Sequence, residues 1–216
     1  MTPARSHLVW DWNGTLLNDL DLVVAATNVA FASVGAAPVS ADEHRVRFRR
    51  PVADYYAEVL GRAVEADEFD RLDKVFHDAY RAGLTTCELA ADATSAMRDW
   101  TGTQSLLSMW FHDELVPAVH TYGLTALFGR VDGLRSGRGG DRKAAHLEQH
   151  LAELGADGRS VVLVGDSLDD ADAADAVGAA CVLYTGGFTD RDRLRRSGRP
   201  VANTLTEAVR LAAALP

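Results

Sequence analysis

Between Ser160 and Ser167 the chain reads SVVLVGDS, four aliphatic residues in a row followed by Gly-Asp. A strand with one wet face alternates apolar and polar residues, whereas an unbroken apolar run needs cover on both faces. The same grammar recurs at Ser6–Trp10, at QSLLSMW and at ACVLYTGG. Segments with apolar residues at helical spacing separate these runs: Ala91–Trp100, Asp113–Tyr122, Lys143–Leu154, DADAADAVG and TLTEAVRLAAAL, with a short segment at Leu127–Val131. Doubly covered strands alternating with helices predict an α/β fold, a doubly wound parallel-sheet (Rossmann-like) core.

One stretch departs from this alternation. Asp21–Val34 has helical spacing and meets Gly35 and Pro38 as stop signals; Ser40-Ala-Asp-Glu43 is a capping box; Asp54–Leu60 and Ala66–Arg81 are again helical. Residues 20–83 are thus expected to hold helices only. The predicted organisation is a core of residues 1–18 and 84–216, with a small helical block, 19–83, inserted after the first strand. A chain of 216 residues is long enough for this.

A net charge of −9 argues against a nucleic-acid partner, since no large face would neutralise a phosphate backbone. No apolar run reaches the ~20 residues that span a bilayer, and the N-terminal run is too short for a signal peptide. The expectation is a cytoplasmic protein with no membrane partner. Cys87 and Cys181 have no metal or redox spacing and read as small apolar residues. Oligomeric state is not legible.

In parallel sheets, ligands gather at the carboxyl ends of strands. Asp11 ends the first strand, Ser108 lies near the end of QSLLSMW, and Asp166 ends SVVLVGD with Asp170 close behind. An isolated Asp in such a place is ordinarily a turn or capping residue. Gathered together, carboxylates ~4 Å apart repel by about 4 kcal/mol at an effective dielectric of 20, so their convergence calls for a cation. Hard oxygen ligands suit Mg²⁺. Asp11 would be both ligand and candidate nucleophile, because carboxylates form aspartyl phosphates. Lys143, after the Gly-rich SGRGGDR, reads either as a solvated lysine or as a counter-charge for a transferring phosphoryl group. Ser108 could bond its own backbone, or hold a phosphate oxygen together with neighbouring amides such as that of Met109.

These residues carry a resemblance. VWDWNGTL is similar to the Asp-x-Asp-Gly-Thr motif of the haloacid dehalogenase (HAD) superfamily; SLLSMW, Lys143 and GDSLDDADAADAVGA resemble its second, third and fourth motifs, in order. The chain looks like a phosphoglycolate-phosphatase-like member with a small helical cap. The resemblance implies a Mg²⁺-dependent phosphohydrolase acting on a small phosphorylated metabolite. Asp11 would be the nucleophile, and Asp11, the Asn13 carbonyl, Asp166 and Asp170 would form the metal site. Ser108, Lys143 and the amides around Gly14 and Thr15 would hold the phosphate.

Asn13 departs from the pattern, standing where the family's phosphatases carry a general acid. An amide neither takes nor gives a proton at physiological pH, and general acid–base help is worth roughly 10²–10⁴ in rate. Three readings stay open: a phosphatase limited to good leaving groups, an enzyme with its proton donor elsewhere, and a non-catalytic phosphometabolite- or protein-binding module. His112 is a candidate donor, although a surface or capping role is the ordinary reading. A dehalogenase would not need the Asp166–Asp170 cluster. In the block, HRVRFRR (His44–Arg50) reads as a solvated helix face or as a dock for a second anionic group on the substrate, with Tyr55 and Tyr56 packed nearby.

Overall fold

The computed structural model describes residues 6–135 and 142–216; most of the Gly-rich SGRGGDR lies outside the described residues. The chain runs β1 (His7–Trp10), β2 (Leu17–Asn18), α1 (Leu20–Ala32), α2 (Ala41–Arg47), α3 (Val52–Leu60), α4 (Ala66–Gly83), β3 (Glu88–Leu89), α5 (Ala93–Asp99), β4 (Thr103–Phe111) and α6 (His112–Thr121). It continues through β5 (Val131–Leu134), α7 (Ala144–Leu154), β6 (Val161–Gly165), α8 (Leu168–Ala176), β7 (Ala180–Tyr184), α9 (Arg191–Arg196), β8 (Val201–Ala202) and α10 (Leu205–Ala213).

Six strands form one sheet in the order β5-β4-β1-β6-β7-β8, every neighbouring pair parallel. The strands are dry on both sides because their side chains alternate between two cores: Val162 and Val164 join one, Val161 and Leu163 the other. Helices α7, α8 and α9 cover the second face through Leu147, Ala174 and Leu194. Fully burying each Val or Leu is worth about 1.5–3 kcal/mol, so the doubly covered register is strongly specified. The α/β expectation is met.

Strand β1 pairs with β4 on one side and β6 on the other, with His7 opposite both Thr103 and Val161. The winding reverses there, and a crevice opens beyond the carboxyl ends of the strands. All the helices α1 to α4 fall between β1 and β4. The capping box at α2 is formed: Ser40 accepts from the Glu43 amide, and Glu43 accepts from the Ser40 amide. Strands β2 and β3 pair antiparallel, Leu17 opposite Leu89, where the chain leaves for the helical segment and returns.

The periodicity did not expose β2, β3, β8 or α9. The three strands have two residues each, too few to show alternation, and α9 (RDRLRR) buries only Leu194. The short segment expected at Leu127–Val131 resolves into a 3-10 turn ending at Leu127 and β5 starting at Val131. Both cysteines are free, Cys181 buried and Cys87 partly so.

A buried polar chain crosses the sheet. His7 Nε2 lies 2.8 Å from Ser105 Oγ, Ser105 Oγ 2.8 Å from His150 Nε2, and His150 Nδ1 2.7 Å from Asp132. The order Ser-His-Asp resembles a hydrolytic triad, but all four residues are buried and none lines a cavity described below. Its consequence is satisfaction of polar groups inside the core.

Candidate active site

Strand β1 delivers Asp11 to the crevice, its amide still bonded to Val164 O at 2.9 Å. Strand β6 delivers Asp166 one residue after Gly165, and the first turn of α8 supplies Asp170. Oxygens of these three buried carboxylates lie within 4.8 Å of one another. Lys143, the N-cap of α7, is buried and its Nζ donates to both Asp11 Oδ1 and Asp170 Oδ1. Sequence reading and structure agree that these four residues meet.

Three carboxylates and one ammonium leave surplus negative charge in a dry place. Burial pushes Asp11 up to about 6, against the pull of Lys143 and with a further push from Asp170. Asp166 is driven well above the ordinary carboxylate range by burial, then by Asp11 and Asp170. Burial also raises Asp170, but the Lys143 charge and hydrogen bond outweigh it and hold this carboxyl low.

The three acids are not equivalent. Asp170 Oδ2 closes the α8 capping box with the Ser167 amide and hydroxyl, and its Oδ1 receives Lys143. Asp166 Oδ2 accepts the Phe188 amide. The remaining oxygens, Asp11 Oδ2 and Asp166 Oδ1, each lie 3.4 Å from the Thr15 hydroxyl, and the Trp12 amide also favours the Asp11 carboxylate. This donor set fits a hard divalent cation: all oxygen, net negative, with two carboxylate oxygens weakly engaged.

Glycines make this crowding possible. Gly14 has φ +72°. A Cβ on Gly187 would fall 2.1 Å from Asp166 Oδ2 and 2.4 Å from Gly14 O. Gly187 carried no role in the sequence reading; the Gly-Gly ending ACVLYTGG was the available signal. Gly187→Ala should cost about 1–3 kcal/mol by overpacking, lower Tm by several degrees, and displace Asp166 so that added divalent cation no longer raises Tm. Thermal melts with and without cation check this.

Ser108 lies within β4, where the β4–β5 register slips between Leu107 and Phe111. Its Oγ accepts the Trp110 amide at 3.0 Å and donates to Asn13 Oδ1 at 3.2 Å. Met109 lines the cavity above the carboxylates. The amides near the first motif are engaged inside the loop: Gly14 N–H donates to Asp19 at 2.7 Å and Thr15 N–H to Trp12 O at 3.2 Å.

Asn13 itself is pinned. Its Nδ2 donates to Asp19 Oδ2 at 2.9 Å and to the Tyr80 hydroxyl at 2.8 Å, while Tyr80 donates to Asp19 Oδ2 at 2.6 Å. Asp19 is buried, and burial raises its carboxyl above the usual range. The sequence reading gave Asp19 no role, since an aspartate just before a helix reads as a cap; yet it makes no cap hydrogen bond. His112 accepts the Gly133 amide at 3.2 Å and lines neither cavity beside Asn13.

The basic run 44–50 ties the helical segment to the core. Arg45 Nε donates to Gly187 O at 3.0 Å, and the Asp190 amide donates to Arg45 O at 3.0 Å. Arg193 on α9 donates to the Arg45, Val46 and Phe48 carbonyls at 2.8–3.0 Å. Arg50 stands 3.9 Å from Asp169, which also accepts the Lys143 amide. His44 is buried among aromatic rings instead of lying on a solvated face.

Residues 140–208 match the HAD-hydrolase-like family. The chain is 26% identical over 189 residues to the phosphoglycolate phosphatase of Synechococcus elongatus, with 87% of each chain covered. It is 26% identical over 199 residues to that of Mesorhizobium japonicum, covering 87% of this chain and 86% of the relative. A haloacid dehalogenase-like family hydrolase from Streptococcus pneumoniae has the same fold, with a TM-score of 0.81 at 15% identity over 96% of this chain and 98% of that one. The four motif residues thus meet in one crevice of a chain that is similar over most of its length to phosphoglycolate phosphatases and has the fold of a haloacid dehalogenase-like hydrolase.

Proposed function

We propose that the protein is a Mg²⁺-dependent phosphohydrolase that hydrolyses a small phosphorylated metabolite through a phosphoaspartate on Asp11. The observation that carries this reading is Asp11 itself, a buried carboxylate at a strand end with one oxygen held by Lys143 and the other weakly engaged. The relatives' name makes phosphoglycolate a first substrate to try.

Asp11, Asp166 and the Asn13 carbonyl would hold the metal, with Asp170 beside them. The ion would neutralise surplus carboxylate charge and polarise the phosphoryl group. Lys143 orients Asp11 and offers its ammonium to a phosphoryl oxygen; the Ser108 hydroxyl and the Met109 amide would take another. Catalysis then consists mainly of positioning and charge neutralisation. Residues 19–83 would act as a cap that excludes water, held down by the Arg45 and Arg193 contacts. The Asn13 amide cannot protonate a departing alkoxide, so substrates whose leaving groups depart without a proton are favoured.

A panel of phosphate esters and acyl phosphates with graded leaving-group pKa, assayed with Mg²⁺ and with EDTA, tests this. Absence of Mg²⁺-dependent turnover of acetyl phosphate and p-nitrophenyl phosphate would overturn it. The second reading, a non-catalytic binding module, draws on the full engagement of Asn13 by Asp19, Tyr80 and Ser108. It requires ligand binding that survives Asp11→Asn and no phosphoenzyme analogue with beryllium fluoride.

Metal binding has a pH signature. Asp11 (about 6) and Asp166 (well above 3.8) have folded pKa values above their unfolded ones. The metal-free folded state therefore binds the extra protons, and its stability falls as pH rises through roughly 4–6 and beyond. Mg²⁺ competes with those protons, so its stabilisation should be small at pH 5 and grow toward pH 8. At about a hundred times its dissociation constant the ion adds about 2.7 kcal/mol, roughly 5–10 °C in Tm for a chain of this size. Melts at pH 5, 6.5 and 8 check the trend.

A further inference from the structure

Beyond the carboxylates, past Asn13, Phe48, Arg50, Met109 and Phe188, the crevice opens into a second cavity of about 80 Å³ between the helical segment and the sheet. Tyr55, Tyr56, Phe76, Tyr80 and Trp110 wall it. Of its charged lining residues, Arg50 stands 3.9 Å from Asp169, and Asp73 lies 3.3 Å from His77 Nε2 without a hydrogen bond.

Two buried histidines complete the wall. Among the described residues, nothing meets hydrogen-bond geometry with His44 Nε2 or with either ring nitrogen of His77, the Asp73 approach being out of line. His44 Nδ1 lies 2.9 Å from the Tyr55 hydroxyl; with that hydroxyl donating, the remaining ring proton sits on Nε2. Buried polar atoms without partners are uncommon and call for an explanation. Here the nitrogens are covered by the packed aromatic rings and offer no surface to a molecule in the cavity.

Resting on the phosphohydrolase reading, we propose that this cavity receives the tail of a short-chain acyl phosphate, an uncharged aliphatic chain of about two to four carbons. Three observations converge. The walls are aromatic and reward apolar surface. The volume is about half of the ~150 Å³ cavity that admits benzene, so a compact chain fits where a ring does not. A carboxylate tail, such as that of phosphoglycolate, would meet Asp73 with the nearest cation already at Asp169.

The chemistry agrees with Asn13. An Asp11 oxygen bonds to phosphorus as the bond between phosphorus and the acyl oxygen breaks. That oxygen takes the electron pair and leaves as a carboxylate, which needs no proton. Water then attacks phosphorus, Asp11 leaves as carboxylate, and phosphate and one proton pass to solvent.

The test is kcat/KM of the whole protein with Mg²⁺ for acetyl, propionyl, butyryl, hexanoyl and succinyl phosphate, with phosphoglycolate and p-nitrophenyl phosphate alongside. Each buried methylene is worth about fourfold, so butyryl phosphate should exceed acetyl phosphate by roughly 15-fold. Succinyl phosphate and phosphoglycolate should fall below butyryl phosphate. Phe76→Ala, which widens the cavity, should raise the hexanoyl-to-butyryl ratio by about tenfold. A flat or falling chain-length profile, a preference for the charged tails, or an unchanged ratio in the variant overturns the inference while the phosphohydrolase stands. Failure to turn over any compound, p-nitrophenyl phosphate included, overturns the phosphohydrolase reading itself.

Discussion

Asp11→Asn should lower turnover by roughly 10⁴–10⁶, the scale on which enzymes lose a covalent nucleophile, and should at the same time stabilise the metal-free protein. The two effects have one cause. In the folded state Asp11 sits at about 6, so even with Lys143 attached its charge is disfavoured relative to the unfolded chain. Above pH 6 the ionised carboxylate costs on the order of 1–3 kcal/mol. An amide at this position removes that cost and one of the charges raising Asp166. In EDTA at pH 7.5 the variant should melt several degrees above the native protein. The gap should narrow as pH falls from 6 toward 4 and close below the unfolded value of 3.8, where Asp11 is protonated in both states. With saturating Mg²⁺ the order should invert, because the native protein keeps all its ligands. Melting curves across pH and metal, beside single-turnover assays, check both parts. A variant that is active, or less stable in EDTA at neutral pH, would show that Asp11 is not the desolvated nucleophile proposed above.

Restoring an acid at position 13 is expected to work only with a second change. Asn13 donates its amide to Asp19 and Tyr80, so Asn13→Asp alone places an acceptor where a donor is required. It sets two buried carboxyls against each other, on a scale of about 4 kcal/mol at 4 Å and an effective dielectric of 20. The single variant should lose stability and gain little activity. Asn13→Asp with Asp19→Ser removes the opposing charge and keeps a hydroxyl near Gly14 and Tyr80. It should accelerate alkyl phosphate hydrolysis by on the order of 10², with little change for acyl phosphates, whose leaving groups need no proton. Rates across a leaving-group series for the four proteins of this double-mutant cycle separate the cases. If the single variant matches the double, Asp19 does not restrain position 13.

Residues that act through their own type and their position at a strand end were legible. Asp11, Asp166 and Asp170 follow dry aliphatic runs, and the parallel sheet they imply brings its strand ends together. Lys143 by itself stayed open between a solvated lysine and a counter-charge, and only its likeness to the third motif pointed it toward the crevice. Asp19 was not, because its role depends on Tyr80 reaching across from α4, 61 residues later in the chain. The basic run 44–50 showed its charge but not its partners: carbonyls, Gly187 and Asp169 compete for the same guanidinium groups that could bind solvent or substrate. Arg193 was hidden for the converse reason, since a short, polar helix carries no periodic signal, yet its guanidinium fastens the helical segment to the core.

Local pattern thus determined the doubly covered parallel sheet, the helical block and the carboxylates at the strand ends, because strand and helix periodicities and turn chemistry act over a few residues. Tertiary structure alone decided the pinning of Asn13, the closure of the helical segment and the aromatic cavity beneath it. Those features arise from side chains far apart in sequence competing for the same buried partners. Which partner wins is settled by packing and desolvation, quantities that have no value until the chain is folded.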